Sequence, residues 1–384
     1  MNSNWKECTI ADLGEVVGGA TPSTKEKQYY ENGSIPWITP KDLSSFSGRY
    51  ISHGERNITE KGLKSCSAQL LPKHSVLFSS RAPIGYIAIA DCPLCTNQGF
   101  KSIVPNSETD YLFLYYLLKY NKDKIENMGS GTTFKEVSGS TMKLIKVRVP
   151  KETVLQSKIG FLLGNIDDTI ETLQETKREI QALLQNIFKD LFASNSQDSI
   201  LSQICHYTNE RIAVSELTTE NYYSTENMLP NKGGVTIAEK LPTISQTPRC
   251  REGNVLISNI RPYFKKILYC TKESGCSQDV LCFVPIKQKY SAYLYCTLYE
   301  DKFFDFMTAG AKGTKMPRGD KQQIMRYAVY DPDEEQIAKF NHIAEPLLKR
   351  IETIDLLSKE YENLRDTLLP KLMSGEIDVS NVQI

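Results

Sequence analysis

The sequence is written twice, which restricts the chain to folds that build one domain two times. Val76, Ser79 and Pro83 return 179 positions later as Val255, Ser258 and Pro262. Gln98, Val104 and Pro105 return 180 positions later as Gln278, Val284 and Pro285, and Gly131-Thr132 returns 182 later as Gly313-Thr314. Solenoid units run roughly 20–50 residues, so this period is instead the length of a domain plus a helix. Two copies of one domain on one chain suit a protein that reads two similar things at a fixed separation.

The periodicity of the apolar residues divides the chain into four segments. Residues 1–150 are mixed and mostly strand: short apolar runs at Ser75-Val76-Leu77-Phe78, Gly85 to Ala90 and Lys143 to Val149 are bounded by Pro and Gly. A helix is expected over 110–119, capped by Asp110. Residues 151–195 form a central spacer. Ile166, Ile170, Leu173, Ile180, Leu184, Ile187 and Leu191 make a heptad seam there, with Lys177 at the skipped position, where a polar group helps set register. Residues 196–332 repeat the first pattern, with strands expected at 254–258 and 280–284 and a helix at 291–298. Residues 333–384 repeat the second: Leu347, Ile351, Ile354, Tyr361, Leu364 and Leu368 form its seam. A 40-residue helix spans about 60 Å and outruns a domain of this size. The expected fold is therefore α+β: two mixed, mostly-β domains in pseudo-twofold arrangement, joined by two long antiparallel coiled-coil helices. Helix length would set the separation of the domains.

Charge follows the same division. The formal net charge is zero, but residues 1–150 carry 18 Lys+Arg against 14 Asp+Glu, and residues 191–332 carry 17 against 14. The stretches 151–190 and 333–384 carry 5 against 7 and 6 against 11. The repeated domains are mildly basic and the helices acidic, and a nucleic-acid footprint depends on such clustering rather than on the sum. No apolar run is long enough to cross a membrane and no signal peptide is expected, which points to the cytoplasm. There the ten cysteines are expected as reduced thiols, mostly small core residues. Cys92-Pro93-Leu94-Cys95 is a lone CxxC without the second pair that zinc requires, so no metal is expected.

Catalytic motifs are missing. There is no phosphate loop, the run Gly310-Ala311-Lys312-Gly313-Thr314-Lys315 having the wrong spacing. There is no G-x-G-x-x-G after a strand, no G-x-S-x-G, no H-E-x-x-H and no amino-methyltransferase Asn/Asp-Pro-Pro-Tyr/Phe. Asp167-Asp168 and Glu334-Glu335 fall on polar helix faces. Two complete domains without an active site indicate recognition rather than catalysis.

Gly18-Gly19-Ala20-Thr21-Pro22-Ser23-Thr24 followed by Ile35-Pro36-Trp37-Ile38-Thr39-Pro40-Lys41-Asp42-Leu43 resembles the opening of a target-recognition domain of type I restriction–modification specificity subunits. Similar to that family, too, are Ser75 to Gly85, Thr96-Asn97-Gln98-Gly99-Phe100-Lys101, Gly129 to Lys135 with the strand ending Val149-Pro150, and the tail Leu369-Pro370-Lys371-Leu372-Met373-Ser374-Gly375-Glu376-Ile377. The second domain departs from the pattern. It lacks the Gly-Gly-x-Thr-Pro-Ser opening, has Ile260 in place of Arg81 with Arg261 next to it, and has Met316-Pro317 after Thr314-Lys315.

The resemblance implies a DNA-sequence reader without catalysis or a cofactor of its own. Each recognition domain would contact one half of a split target on double-stranded DNA, and the helices would fix the gap. Two methyltransferase (M) subunits would supply S-adenosylmethionine chemistry, and restriction/translocase (R) subunits would supply ATP- and Mg-dependent cutting; no membrane is involved. The alternatives are the specificity half of a fused methyltransferase/nuclease, or a decoy that binds methyltransferase subunits without reading DNA. Loop chemistry selects candidate DNA contacts. In the first domain they are Thr21, Ser23, Thr24, Lys25, Lys41, Ser79, Ser80, Arg81, Thr132, Thr133 and Lys135. In the second they are Ser258, Asn259, Arg261, Tyr263, Lys265, Lys312, Thr314, Lys315 and Arg318. Arg81 and Arg261 stand out, because bidentate Arg–guanine pairing is the commonest specific base contact.

Overall fold

The computed structural model describes residues 4–44, 46, 48–131 and 135–383. It divides into two compact units, residues 1–173 with 358–384, and residues 174–357. Each unit holds one β-rich domain and a stretch of both long helices.

In the first unit the strands Gly14–Gly18, Lys101–Pro105, Val76–Ser80, Ile84–Ala90 and Tyr50–Ile51 form a five-stranded sheet in that order, antiparallel except for its last pair. The run Val76-Leu77-Phe78 is buried throughout because the sheet is covered on both faces. Alternation along the strand sends Val76 and Phe78 into the core beneath the helix Tyr111–Tyr120 and Leu77 into a second core with Ala88 and Ala90. In the second unit Cys205–Tyr207, Val280–Pro285, Val255–Ser258 and Ile267–Tyr269 form the corresponding antiparallel sheet. Val255 and Ile257 face one core and Leu256 the other. Val76 pairs with Ile103 and Val255 with Phe283, the same register in both copies.

The duplication extends to most elements. A terminal strand pair closes each domain: Trp5–Thr9 with Lys146–Pro150, and Ser199–Ile200 with Ala328–Val329. The helices Tyr111–Tyr120 and Lys122–Asn127 correspond to Ser291–Tyr299 and Asp301–Ala309. Asp110 caps its helix as its position suggested, accepting from the Phe113 amide at 2.8 Å. The smaller sheets differ. The first unit has three strands (Arg56–Ile58, Ile35–Ile38, Cys95–Thr96), and the second has four (Arg211–Ala213, Gln246–Cys250, Ser274–Cys276, Tyr222–Tyr223). The strand expected over 143–149 is Lys146–Pro150. Lys143 and Leu144 instead end a helix, Gly139–Leu144, that the Ser138 hydroxyl caps through the Thr141 amide at 3.0 Å. All ten cysteines are free thiols and seven are buried; burial pushes the Cys95 thiol up to about 11.

The long helices are Thr153–Phe192 and Glu334–Ser374. Within each unit they run antiparallel. In the first, Asp167 pairs with Arg365 and Lys158 reaches the Ser380 carbonyl at 2.6 Å; in the second, Lys177 pairs with Asp355 and Gln336 donates to the Leu191 carbonyl at 3.0 Å. Leu184, Ile351 and Ile354 are buried, and Ile166, Ile170, Leu173, Ile180, Ile187, Leu191, Leu347, Tyr361 and Leu368 are half-buried, as two-helix packing leaves them. Lys177 is buried at its skipped position, 2.5 Å from Asp355. Leu364 departs from the expected seam: it is 44% exposed, because the next residue, Arg365, turns inward to Asp167. Gly160 and Gly164 allow the first helix to lie against Leu112 and Phe113. A Cβ on Gly160 would sit 2.9 Å from the Phe113 nitrogen.

Candidate nucleic-acid interface

In the first domain four loops converge where the strand Val76–Ser80 ends. The Ser80 amide donates to Gly99 O at 2.7 Å, and Ser80 O accepts from the Val137 amide at 3.0 Å. The Ser79 hydroxyl donates to Pro83 O and accepts from the Tyr86 amide, both at 2.8 Å, and Ser80 Oγ donates to Gly99 O at 3.2 Å. Both serines are fully buried. As DNA contacts they are therefore corrected: their hydroxyls brace the loop from inside and reach no surface. Thr21, half-buried, donates its hydroxyl to Gln98 Oε1. The opening loop is pinned by Trp37 Nε1 donating to Ala20 O at 3.0 Å and Tyr30 donating to Pro22 O at 2.6 Å, which leaves Ser23, Thr24 and Lys25 exposed. Arg81 lies 3.4 Å from Glu136, which also pairs with Lys101. Lys41 is exposed and pairs with Glu55 at 2.7 Å. Lys135 is exposed, and Thr132 and Thr133 lie outside the described residues.

The second domain repeats the main-chain bonds of this framework, though not those of the Ser79 and Ser80 hydroxyls. The Asn259 amide donates to Asp279 O at 2.8 Å, and Asn259 O accepts from the Gly319 amide at 3.3 Å. Ser130 bridges Glu136 in the first domain and Lys312 bridges Arg318 in the second. Ala82 and Arg261, 179 residues apart, both sit at φ 51°. Ser258 and Asn259 are buried; Ser258 Oγ braces the loop by donating to Ile260 O at 3.3 Å, whereas Asn259 holds it by its main chain and its Oδ1 meets no hydrogen-bond donor among the described residues. Lys265 pairs with Asp301 at 2.9 Å, Lys312 with Asp320 at 2.5 Å and Arg318 with Asp279 at 3.1 Å. Tyr263, Thr314 and Lys315 are exposed, and Arg261 is half-exposed.

On this shared backbone the side chains change sign. Glu136 of the first domain corresponds to Arg318 of the second, Arg81 to Ile260 and Ala82 to Arg261. The two prominent arginines are thus not equivalents. Arg81 leaves an ordinary backbone position and is held by a carboxylate, whereas Arg261 leaves a left-handed one. Sequence reasoning missed the carboxylates. Glu55, Glu136, Asp279, Asp301 and Asp320 partner five of the candidate cations, leaving Lys25, Lys135, Arg261 and Lys315 outside any ion pair among the described residues. The Lys312 ammonium and the amides of Gln323 and Gln322 hold the Asp320 carboxyl down at about 2. Among the described residues no group of three or more His, Cys, Asp or Glu is placed to hold a metal ion, and no helix is long and apolar enough to cross a membrane.

Three kinds of similarity bear on this arrangement. A family model described as the type I restriction modification DNA specificity domain matches residues 2–182. The specificity subunit of the MjaIX type I restriction enzyme of Methanocaldococcus jannaschii is 30% identical, over 99% of this chain and 95% of its own. That of the HindI enzyme of Haemophilus influenzae is 28% identical over 47% of this chain and 40% of its own. The crystal structure of a type I restriction–modification S subunit from M. genitalium shares the fold, with a TM-score of 0.64 at 18% identity, covering 97% of this chain and 96% of that one.

Proposed function

The chain belongs to the type I restriction–modification specificity subunits, and from that membership we propose that it reads a bipartite DNA target, one half-site per domain, for partner subunits that carry the chemistry. One observation supports the reading most: a single loop framework occurs twice, with the same backbone hydrogen bonds and different, partly charge-reversed side chains. Conserving a scaffold while changing its exposed groups is what two readers of different sequences require, since phosphate contacts position and base-edge contacts specify. The continuous helices of 40 and 41 residues suit a ruler, because half-site separation on duplex DNA is a geometric quantity. The acidic character of those helices suits protein partners more than the duplex.

In this reading the chain binds two methyltransferase subunits, which bring S-adenosylmethionine and methylate adenine. It also joins restriction subunits that use ATP and Mg, in the cytoplasm. It holds no cofactor and catalyses nothing itself. The test is to co-express the chain with its methyltransferase subunits and sequence the methylated bases of the host. The expected result is one two-part motif with a constant gap, and a stable complex on purification. A motif without a gap, or no association with methyltransferase subunits, would refute it. Inserting one heptad into both helices should lengthen the gap and leave both half-sites unchanged.

A further inference from the structure

The turn Pro262–Phe264 of the second domain is held in an unusual way. Among the described residues seven non-glycine residues have positive φ, and four of them, Asn231, Lys232, Arg261 and Lys265, surround this turn. Such positions persist only where neighbouring structure over-determines them, and they concentrate at functional sites. Here the surroundings do so. Arg261 N donates to Pro317 O at 2.8 Å, Asn231 N to Phe264 O at 2.7 Å and Lys232 N to Lys265 O at 2.9 Å. Lys232 and Lys265 both clamp Asp301 at 2.9 Å. The clamped turn buries Pro262 but holds Tyr263 and Phe264 out, 48% and 37% exposed, with their rings 4.8 Å apart. Its surroundings are cationic. Lys266 lies 5.9 Å over the Phe264 ring, Arg261 has no ion pair among the described residues, and Asp301 offsets only one of its two lysines. At the 179-residue offset the first domain has Ile84, which is buried, and Gly85.

We propose that Tyr263 and Phe264 form a rigid aromatic wedge that stacks against, and partly unstacks, a base step in the half-site read by the second domain. An apolar wedge ringed by cations matches a duplex, whose phosphates meet the cations while its stacked bases receive the rings. The inference rests on the DNA-reading function proposed above. It adds to that function a deformation-based component of specificity, at a turn where the first domain has Ile84 and Gly85.

The test uses the full chain in complex with its methyltransferase subunits and a duplex bearing the methylated target, with 2-aminopurine placed in turn along both half-sites. The adenines to be methylated are left out, because the methyltransferase subunits flip them; the expected result is a fluorescence rise on binding at one other step of the second domain's half-site and at none of the first's. Tyr263→Ala with Phe264→Ala should abolish the rise and weaken binding roughly tenfold or more, the scale of one lost base–aromatic stack. Tyr263→Phe with Phe264→Tyr, which keeps both rings, should retain the rise. Specific binding by the wild type with no brightening at any step would overturn the wedge. So would a double-alanine variant of unchanged melting temperature that binds and brightens like the wild type. If the wild type prefers its target no more than a scrambled duplex, the DNA-reading function itself fails, and the wedge with it.

Discussion

In the first unit Asp167 meets Arg365 across the helix pair at 3.0 Å; at the 181-residue offset the second unit has Leu348 and Leu184, both buried. The ionic version continues into the domain. Tyr116 donates to Asp167 at 2.6 Å, and Arg49 donates to Tyr116 at 3.0 Å and to the Gly164 carbonyl at 3.1 Å while pairing with Asp168. Burial, followed by the nearby Asp167 charge, pushes the Tyr116 phenol far up, so it remains a donor. In the second unit that place is apolar, and a ring cluster lies a turn or two along the helices, where the first unit has Ile159, Leu369 and Met373. Phe188 lies 5.2 Å from Phe192, 5.4 Å from Tyr293 and 5.8 Å from Phe340. One helix geometry is thus fastened to two copies of one domain by two kinds of interaction. The apolar version is fault-tolerant, because its contacts are non-directional. The ionic version is brittle, because its bonds are directional and Tyr116, Arg49 and Arg365 converge on Asp167 and its neighbour, Arg365 alone having a further carboxylate partner in Asp366.

The brittleness sets the largest expected effect. Asp167→Leu leaves Arg365 only its neighbour Asp366, at 2.9 Å, and removes the acceptor of Tyr116, so it should cost about 3 kcal/mol, the low end for breaking a buried pair. Adding Arg365→Leu copies the leucine pair of the second unit and should recover most of that loss, since buried pairs often exchange for apolar ones at little net cost. Denaturant unfolding of the single and double variants decides this. A double variant as unstable as the single one would mean that Arg49 and Tyr116 cannot be satisfied without Asp167, and that the two fastenings are not interchangeable.

The reading loops come next. Arg261→Ala should cost about 1–3 kcal/mol at one half-site and relax its sequence preference. Arg81→Ala should cost less at the other, because Arg81 is shared with Glu136 at 3.4 Å. Competition binding with single-base variants of each half-site separates the two. Equal losses at both would contradict the difference drawn between a free guanidinium and a held one.

These contrasts also show where the sequence stopped being informative. Both long helices were legible, because a period near 3.5 repeated over 40 positions is a strong local signal. The Asp110 cap was legible for the same local reason. Leu364 was misplaced because heptad counting favours a leucine over the neighbouring arginine and cannot see Asp167 on the other helix. The loops were found, but not which side chains they expose. Ser79, Ser80 and Ser258 have the composition of a binding loop and serve as its internal braces. The groups that neutralise Arg81 and Lys265 lie 55 and 36 residues away, at Glu136 and Asp301. Pairing across such separations is decided by tertiary structure.

A smaller contrast lies in the helices themselves. Pro346 sits inside the second helix, exposed, where the first helix has Asn165 at the 181-residue offset. The proline removes one main-chain hydrogen bond. Pro346→Ala should therefore stabilise the second unit by about 1 kcal/mol, the net worth of such a bond, read as a higher denaturant midpoint. No gain would mean that the helix needs a bend there to follow its domain.

The smallest expected effect concerns two equivalent caps. Ser138 caps Gly139–Leu144 in the first unit through the Thr141 amide, while Asp320 caps Lys321–Ile324 in the second through the amides of Gln322 and Gln323 at 2.9 and 3.1 Å. Folding lowers the Asp320 carboxyl from 3.8 to about 2, first through the Lys312 ammonium and then through those amides. A carboxyl lowered on folding favours the native state above its unfolded value and loses that contribution as pH falls through its folded one. The Asp320 cap should therefore hold at pH 4 and weaken toward pH 2, whereas the neutral Ser138 cap has nothing to titrate. Amide NMR shifts of Gln322 and Gln323 should move with a midpoint near 2, and that of Thr141 should not follow them. A midpoint at 3.8 would show that Lys312 does not hold Asp320 in solution. Lys312 would then be free to meet a phosphate, alongside Arg261 and Lys315.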